Sequence, residues 1–268
     1  MGRWTINPIQ FVRNVGDAMR QGTSLRDRLS YLSWFYHDKG FVRRNPSGKR
    51  YLNLRVPSPV EQVRLALRDN GADQLVYGEV LITRDYDVEV PTPKTVLDLG
   101  GNIGLATLFF SRRWPTAQLA VVEPVPANLA ILRENLSLNR VNATVFPAAV
   151  ADHDGEVEIA LNTLDCAHKI IGLPGAVATK GTIRVEALSI PTIMARLNWD
   201  RIGFLKMDIE GYEATLLKNR ADWLDRVDAL CVEAFDNTIS DQEMRAIAAQ
   251  HRFKVEMPKR DFYVWTRA

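Results

Sequence analysis

The sequence predicts an α/β fold with a largely parallel sheet, preceded by an N-terminal helical extension. Three observations carry this. From Thr95 onward, short apolar runs alternate with segments of helical period, joined by short loops. Glycines and charged residues gather where the apolar runs stop, and ligands bind at that end of strands in such sheets. Finally, 268 residues with 46% apolar and 25% charged residues suit one sizeable core, or one domain with an elaborated end.

The elements follow in order. Asn7 caps a helix with Pro8 at its first position, and Ile9, Val12, Val15 and Met19 share a face. Ser24 with Asp27 resembles a capping box, followed by Leu25, Leu29, Leu32 and Tyr36 at helical spacing. Asn45-Pro46-Ser47-Gly48 reads as a turn. Ser58-Pro59 with Glu61 opens a third helix that Gly71 ends, and Val80 to Ile82 is extended. Residues 1–75 are thus a helical extension or cap, and residues 76–268 the main domain.

In that domain Thr95 to Leu99 is a buried strand, followed by a glycine turn and a helix to Arg113. Leu119 to Glu123 is a strand, and Ala127 to Leu138 a helix with Leu129, Leu132 and Leu136 on one stripe. Ala143 to Val150 is a strand, paired through His153-Asp154-Gly155 with Val157 to Leu161. Residues 162–181 are irregular, Ile183 to Leu188 is extended, and Ser189 or Ile190 opens a helix through Leu197. Ile202 to Asp208 is a strand, Tyr212 to Lys218 a helix, and Ala229 to Phe235 a strand. A capping box, Ser240 with Glu243, starts a helix to Gln250, and Phe253–Glu256 and Phe262–Thr266 form a final pair of strands.

No uncharged run reaches the roughly 20 apolar residues of a membrane span. The stretch before Arg13 lacks the apolar segment of a secretory signal. Cys166 and Cys231 are too far apart for a metal or disulfide framework, and Cys231 reads as a buried hydrophobe; a reduced cytoplasmic protein is expected. Residues 1–60 hold eleven Lys/Arg against three Asp, while the remainder holds 23 against 29 acids. That imbalance points either to solvated helix faces or to an anionic partner, such as a phosphorylated or carrier-linked substrate.

Asp98-Leu99-Gly100-Gly101-Asn102-Ile103-Gly104 joins a strand to a helix. Glycines permit positive φ and close ligand approach, and a helix N-terminus offers free N–H groups. A dinucleotide loop needs Gly-x-Gly-x-x-Gly, but counting from Gly100 the later positions hold Asn102 and Leu105, which argues against a nicotinamide oxidoreductase. The form Asp-x-Gly-x-x-x-Gly, with an acid ending the next strand, is instead the pattern of an adenosylmethionine site. Glu123 is that acid, 25 residues after Asp98, and a carboxylate there can accept from both ribose hydroxyls.

A second cluster, Lys206-Met207-Asp208-Ile209-Glu210-Gly211-Tyr212-Glu213, ends another apolar strand. Alternation puts Lys206 and Asp208 on one side. Charges bracketing an apolar strand are costly unless exposed or paired. Asp208, Glu210 and Glu233 are oxygen donors on adjacent strand ends, but they lack dedicated ligand spacing and no metal is assigned.

These blocks, with Val122-Glu123-Pro124-Val125-Pro126-Ala127-Asn128 and Ala148-Ala149-Val150-Ala151-Asp152, resemble the FkbM family of S-adenosylmethionine-dependent methyltransferases. The resemblance is strong over residues 95–235, extends weakly to Tyr77-Gly78-Glu79 and Arg84-Asp85-Tyr86, and does not cover residues 1–70. It implies a Rossmann-like seven-stranded sheet with the last strand antiparallel. It implies that Gly100 to Gly104, with Asp98 and Asn102, lie against the methionine part of the cofactor. Glu123 and Pro124 then hold the ribose, Asn128 supports the turn, and Ala148 to Asp152, with Ala149 among them, borders the adenine. Gly101 replaces an expected alanine, which should change little. Family members mostly methylate hydroxyls on sugars or polyketide-type natural products.

An alcohol needs a base within hydrogen-bond reach. Asp208 is the first candidate as base or orienting group, Glu210 the second, and His168 the third, from an irregular segment suited to a lid. His37 could come from the N-terminal helices. His153 and His251 read as solvated. Tyr31, Trp34, Phe35 and Tyr36 either line an acceptor pocket or pack in the core. Two other readings stay open: an N-methyltransferase on a small amine, and a non-catalytic module using the basic N-terminal region. A small-molecule acceptor without nucleic acid is expected. The N-terminal helices are candidates for a lid or a homodimer contact.

Overall fold

The computed structural model describes residues 8–36, 48–162, 168–173, 175–219, 221–234, 238–259 and 261–268. Two helices come first, α1 (Pro8–Gln21) and α2 (Leu25–Tyr36). Ser24 starts α2: its Oγ accepts the Asp27 N–H at 3.1 Å and donates to Asp27 Oδ2 at 2.6 Å. The buried face of α2 is Asp27, Tyr31 and Trp34, whereas Leu25 and Leu29 are 69% and 59% exposed. The leucine stripe thus loses the core to the aromatic one, because Trp34 and Tyr31 pack edge-on against Tyr77. Tyr31 and Trp34 are core and do not line the cavity described below. Asn7, His37, Asn45 to Ser47 and Cys166 lie outside the described residues.

The expected third helix is instead a hairpin, β1 (Lys49–Arg55) antiparallel to β2 (Gln62–Arg68). Val63, Leu65 and Leu67 are buried while Gln62 and Arg64 are exposed, so this segment follows a period of two. Gly71 does not end a helix but begins α3 (Gly71–Tyr77), capped by Asn70, whose Oδ1 accepts the Asp73 N–H at 2.8 Å. The extended piece expected near Val80 is a π-helical turn, Gly78–Thr83.

The main domain follows as β3 (Thr95–Leu99), α4 (Leu105–Arg113), β4 (Gln118–Val122), α5 (Pro126–Leu138) and β5 (Thr144–Phe146). Four short strands come next: β6 (Ala149–Val150), β7 (Gly155–Ala160), β8 (Lys169–Ile170) and β9 (Thr182–Leu188). The chain then runs through α6 (Ile190–Leu197), β10 (Ile202–Met207), α7 (Glu213–Lys218) and β11 (Val227–Glu233). It closes with α8 (Asp241–Gln250), β12 (Phe253–Lys259) and β13 (Phe262–Arg267). The single strand expected over Ala143 to Val150 is two, β5 and β6, in different sheets, parted at Pro147, which has no N–H for a ladder. Nor does β6 pair with β7 through the turn at His153; β9 lies between them in a four-stranded sheet of order β6-β9-β7-β8.

The seven-stranded sheet has the order β12-β13-β11-β10-β3-β4-β5. Its pairs from β11 to β5 are parallel, and β13, the last strand in the chain, is antiparallel to β11 and β12. Strand order reverses between β3 and β10, so a crevice opens beyond Leu99 and Met207. Alternation divides the sides. Leu97, Leu99, Leu205 and Met207 join one core with Ile193, Leu216 and Met244. Val96 and Phe204 join the other, which runs from Phe110 through Tyr77 to Trp34 and Leu54 of the hairpin. Asp98 and Lys206 therefore point to the second side, and register sets them opposite each other.

Candidate active site

One cavity of about 320 Å³ occupies the crevice. Gly100, Gly101, Asn102, Glu123, Pro124 and Asn128 line one part, and Ala149 with Val150 another. Asp208, Glu210, Tyr212 and Glu233 come from the ends of β10 and β11, and His168 from the segment before β8. Leu75, Val76, Glu79, Val80 and Tyr86 close the opposite side from the stretch before β3. Asp98, Gly104 and Asp152 do not line it.

The glycine loop is shaped by the protein's own packing. Gly100 has φ +78°, and a Cβ there would stand 1.9 Å from the Asp208 carbonyl oxygen. A Cβ on Gly101 would stand 2.1 Å from Val121 Cγ2 and 2.9 Å from Leu132 Cδ1. Alanine at position 101 is therefore not a small change in this chain, contrary to expectation. Both glycine N–H groups donate to the Val122 carbonyl at 3.0 Å, and Asp208 donates its N–H to Leu99 O at 3.3 Å. Gly104, at φ +84°, is the N-cap of α4.

Glu123 stands where β4 ends, 4% exposed. Its Oε2 accepts the Asn102 N–H at 2.9 Å and its Oε1 the Val125 N–H at 2.8 Å. Burial pushes its carboxyl up to about 7 against the pull of those N–H groups. Asn102 presents its N–H from a left-handed conformation, φ +48°.

Asp98 anchors the strand end from behind. Its Oδ2 accepts from Thr107 Oγ1 at 2.6 Å, and its Oδ1 lies 3.2 Å from Lys206 Nζ. The Lys206 ammonium donates to Gly100 O at 2.7 Å and Leu99 O at 3.2 Å. Burial opposes its charge, but Asp98 and Asp208 outweigh that and hold it above the ordinary lysine value. Asp208, on the same side as Lys206, accepts at Oδ2 from Tyr86 Oη at 2.8 Å, with Lys206 Nζ 3.7 Å away.

Glu213 ties the turn after β10, accepting N–H groups from Ile209 at 2.5 Å and Gly211 at 2.7 Å. Within that turn Glu210 adopts φ +61°, costly for a non-glycine residue. Burial, then repulsion from Asp208 and Glu213, lifts its carboxyl to about 8. Burial and Asp208 do the same to Glu233, to about 8. Asp152 acts behind Tyr212, accepting its Oη at 2.8 Å. His168 Nδ1 accepts the Asn162 N–H at 2.9 Å, so a neutral ring carries its proton on Nε2. His251 is not solvated: it is 9% exposed, with Nδ1 3.0 Å from Asp225 Oδ1, while His153 stays exposed.

Glu79, Glu123, Asp208, Glu210 and Glu233 line the cavity, and the ammonium of Lys206 beside them is already held by Asp98 and Asp208. Part of the N-terminal basic excess is internal, since Lys49 pairs with Glu134 at 2.6 Å and Arg50 with Asp69. Among the described residues no three His, Cys, Asp or Glu are placed to hold a metal ion, and no helix is long and apolar enough to cross a membrane.

Sequence reasoning missed Tyr86, Tyr212 and the Leu75–Val80 side. Only the weak upstream blocks around Glu79 and Tyr86 pointed there, since contacts across 122 residues leave no local pattern.

A seven-stranded sheet with an antiparallel final strand and a cavity at the reversal of strand order is the architecture of Rossmann-like methyltransferases. The chain belongs to the FkbM methyltransferase family: the family model described as Methyltransferase FkbM domain matches residues 98–255, more than half of it. It is 27% identical over 217 residues to the 31-O-demethyl-FK506 methyltransferase FkbM of Streptomyces tacrolimicus, covering 69% of this chain and 83% of that one. It is 22% identical over 210 residues to Methyltransferase 1 of Beauveria bassiana (strain ARSEF 2860), covering 70% and 84%. Methyltransferase FkbM from Methylobacillus flagellatus KT has a crystal structure that matches at a TM-score of 0.48 and 16% identity, over 96% of this chain and 60% of that one.

Proposed function

We propose that this protein is an S-adenosylmethionine-dependent methyltransferase that methylates a hydroxyl on a sugar or polyketide-type natural product. The observation that carries the reading is Glu123 and Asp208 facing one cavity across the glycine loop. The residues fit the cofactor. Glu123 is a buried carboxylate that lines the cavity, where a ribose hydroxyl can reach it, and is held by the Asn102 and Val125 N–H groups and the Asn128 side chain. Val122, Ala148, Ala149 and Val150 give an apolar surface for an adenine. Asp208, Glu210 and Glu233 suit a ligand that carries positive charge. When bound, S-adenosylmethionine supplies an electrophilic methyl group on a sulfonium.

The chain's own residues supply the rest. Asp208 has Oδ2 engaged and Oδ1 without a hydrogen bond among the described residues, so Oδ1 receives the acceptor hydroxyl and orients it. Glu210, with a carboxyl at about 8, is matched to taking up the proton near neutral pH. His168 is a donor rather than a base, because its Nδ1 is spent on Asn162. An acid-lined cavity keeps an amine protonated and poorly nucleophilic, which favours oxygen as the acceptor atom. The name of the Streptomyces relative likewise points to an oxygen.

Titration calorimetry with S-adenosylmethionine, with NADH as the comparison ligand, tests the reading. Binding of the sulfonium compound alone, followed by tritiated methyl transfer to a panel of methyl glycosides and macrolide alcohols, is expected. Binding of NADH alone would overturn it.

A further inference from the structure

We infer that Tyr86 and Lys206 are positioning residues that pin one oxygen of Asp208 and leave the other for the acceptor. The inference rests on the reading of Asp208 as the group that orients the hydroxyl.

Tyr86 sits in an aromatic slot, its ring 6.2 Å from Phe110 and 5.8 Å from Phe262, and is 9% exposed. Phenylalanine would fill that slot without a buried hydroxyl to satisfy. A phenol there costs free energy unless it is paired. Its one hydrogen-bond partner among the described residues is Asp208 Oδ2, at 2.8 Å. The hydroxyl therefore answers to Asp208, and packing does not explain it. Tyr86 lies upstream of residues 98–255, so it reaches Asp208 from the segment before β3.

Lys206 completes the clamp. Its side chain is 3% exposed, and its ammonium lies between Asp98 and Asp208, 5.3 Å from the centre of the Tyr86 ring. Two carboxylates share one ammonium, so a net negative charge remains. Asp98 is wholly buried and bonded to Thr107, whereas the Asp208 side chain is 27% exposed and lines the cavity. The surplus charge is thus delivered at Asp208. A carboxylate held on one oxygen by a phenol and an ammonium cannot swing freely, and such preorientation lowers the cost of aligning reactants.

The test compares Tyr86→Phe, Asp208→Asn and the double variant. Methyl transfer to the methyl glycoside and macrolide alcohol panel is followed, with S-adenosylmethionine binding by calorimetry beside it. Tyr86→Phe is expected to lower kcat about tenfold, the scale of one charge-assisted hydrogen bond, with cofactor Kd unchanged. In the Asp208→Asn background the same change should have almost no effect, because the two residues act as a unit. Additive losses, or a silent Tyr86→Phe beside a damaging Asp208→Asn, would overturn the positioning role. A silent Asp208→Asn would instead overturn the reading on which it rests. A crystal structure of Tyr86→Phe gives an acceptor-independent check. Asp208 is expected in more than one rotamer, and a single unchanged rotamer refutes the pin.

Discussion

Glu123 and Asp208 both end parallel strands, yet their surroundings assign them opposite sensitivities. Glu123 is buried and satisfies two backbone N–H groups. Glu123→Ala is expected to weaken S-adenosylmethionine binding by about 10- to 100-fold, the scale of hydrogen bonds to a charged group. It should also lower Tm, because the Asn102 and Val125 donors lose their acceptor; calorimetry and thermal melting check the two effects separately. Asp208→Asn keeps the shape but not the charge, and is expected to cut kcat by about 100-fold or more with little change in cofactor Kd. Gly101→Ala belongs at this scale too. Its Cβ would meet Val121 and Leu132, so overpacking of about 1–3 kcal/mol is expected, read as a lower midpoint in urea unfolding. That cost was hidden from the sequence. A glycine between strand and helix looks the same whether a ligand or Val121 demands it.

Among the elements, the strands that carry the site were readable and the hairpin was not. Leu97-Asp98-Leu99 and Leu205-Lys206-Met207 are apolar runs cut by one charge, and the charges meet because register sets Lys206 opposite Asp98. The segment Gln62 to Arg68 offered a helix start in Ser58-Pro59, and its alternation of Val63, Leu65 and Leu67 was the competing signal. What decides for the strand is distant. Asn135 Oδ1 accepts the Ala66 N–H at 2.7 Å and its Nδ2 donates to Ile103 O at 2.8 Å. Asn139 accepts the Arg64 N–H at 3.1 Å and donates to Arg64 O at 2.8 Å. Two amides, Asn135 in α5 and Asn139 at its C-terminal cap, thus take the place of a neighbouring strand along β2, a relation no local window contains. Replacing the buried Asn135 by Leu leaves the Ala66 N–H and the Ile103 carbonyl without partners. A loss of about 1–3 kcal/mol is expected in denaturant unfolding, with S-adenosylmethionine affinity of the folded protein largely kept.

For the whole molecule, the charge of the crevice sets the response to pH. Glu123 and Glu213 are pushed up to about 7, and Glu210 and Glu233 to about 8, burial being the largest cause in each. An unfolded chain ionises these groups near 4.5, their ordinary value. Below that pH both states are protonated and nothing is lost. Between 4.5 and about 8 the folded protein holds protons that the unfolded chain has released, so stability falls as pH rises, and above 8 the loss is complete. Glu210→Gln removes one such group. It is expected to raise Tm at pH 8.5 and to leave it nearly unchanged at pH 4. A gain on the order of 2 kcal/mol corresponds to roughly 4–8 °C for a domain of this size. A cationic ligand supplies the missing counter-charge. S-adenosylmethionine should therefore stabilise the protein more at pH 8.5 than at pH 6, whereas S-adenosylhomocysteine, a neutral sulfide, should gain less with pH. Scanning calorimetry of wild type and Glu210→Gln at the three pH values, with each ligand, reads all of this. Equal gains from the two ligands at every pH would show that Asp208, Glu210 and Glu233 do not sense the charge of what fills the crevice.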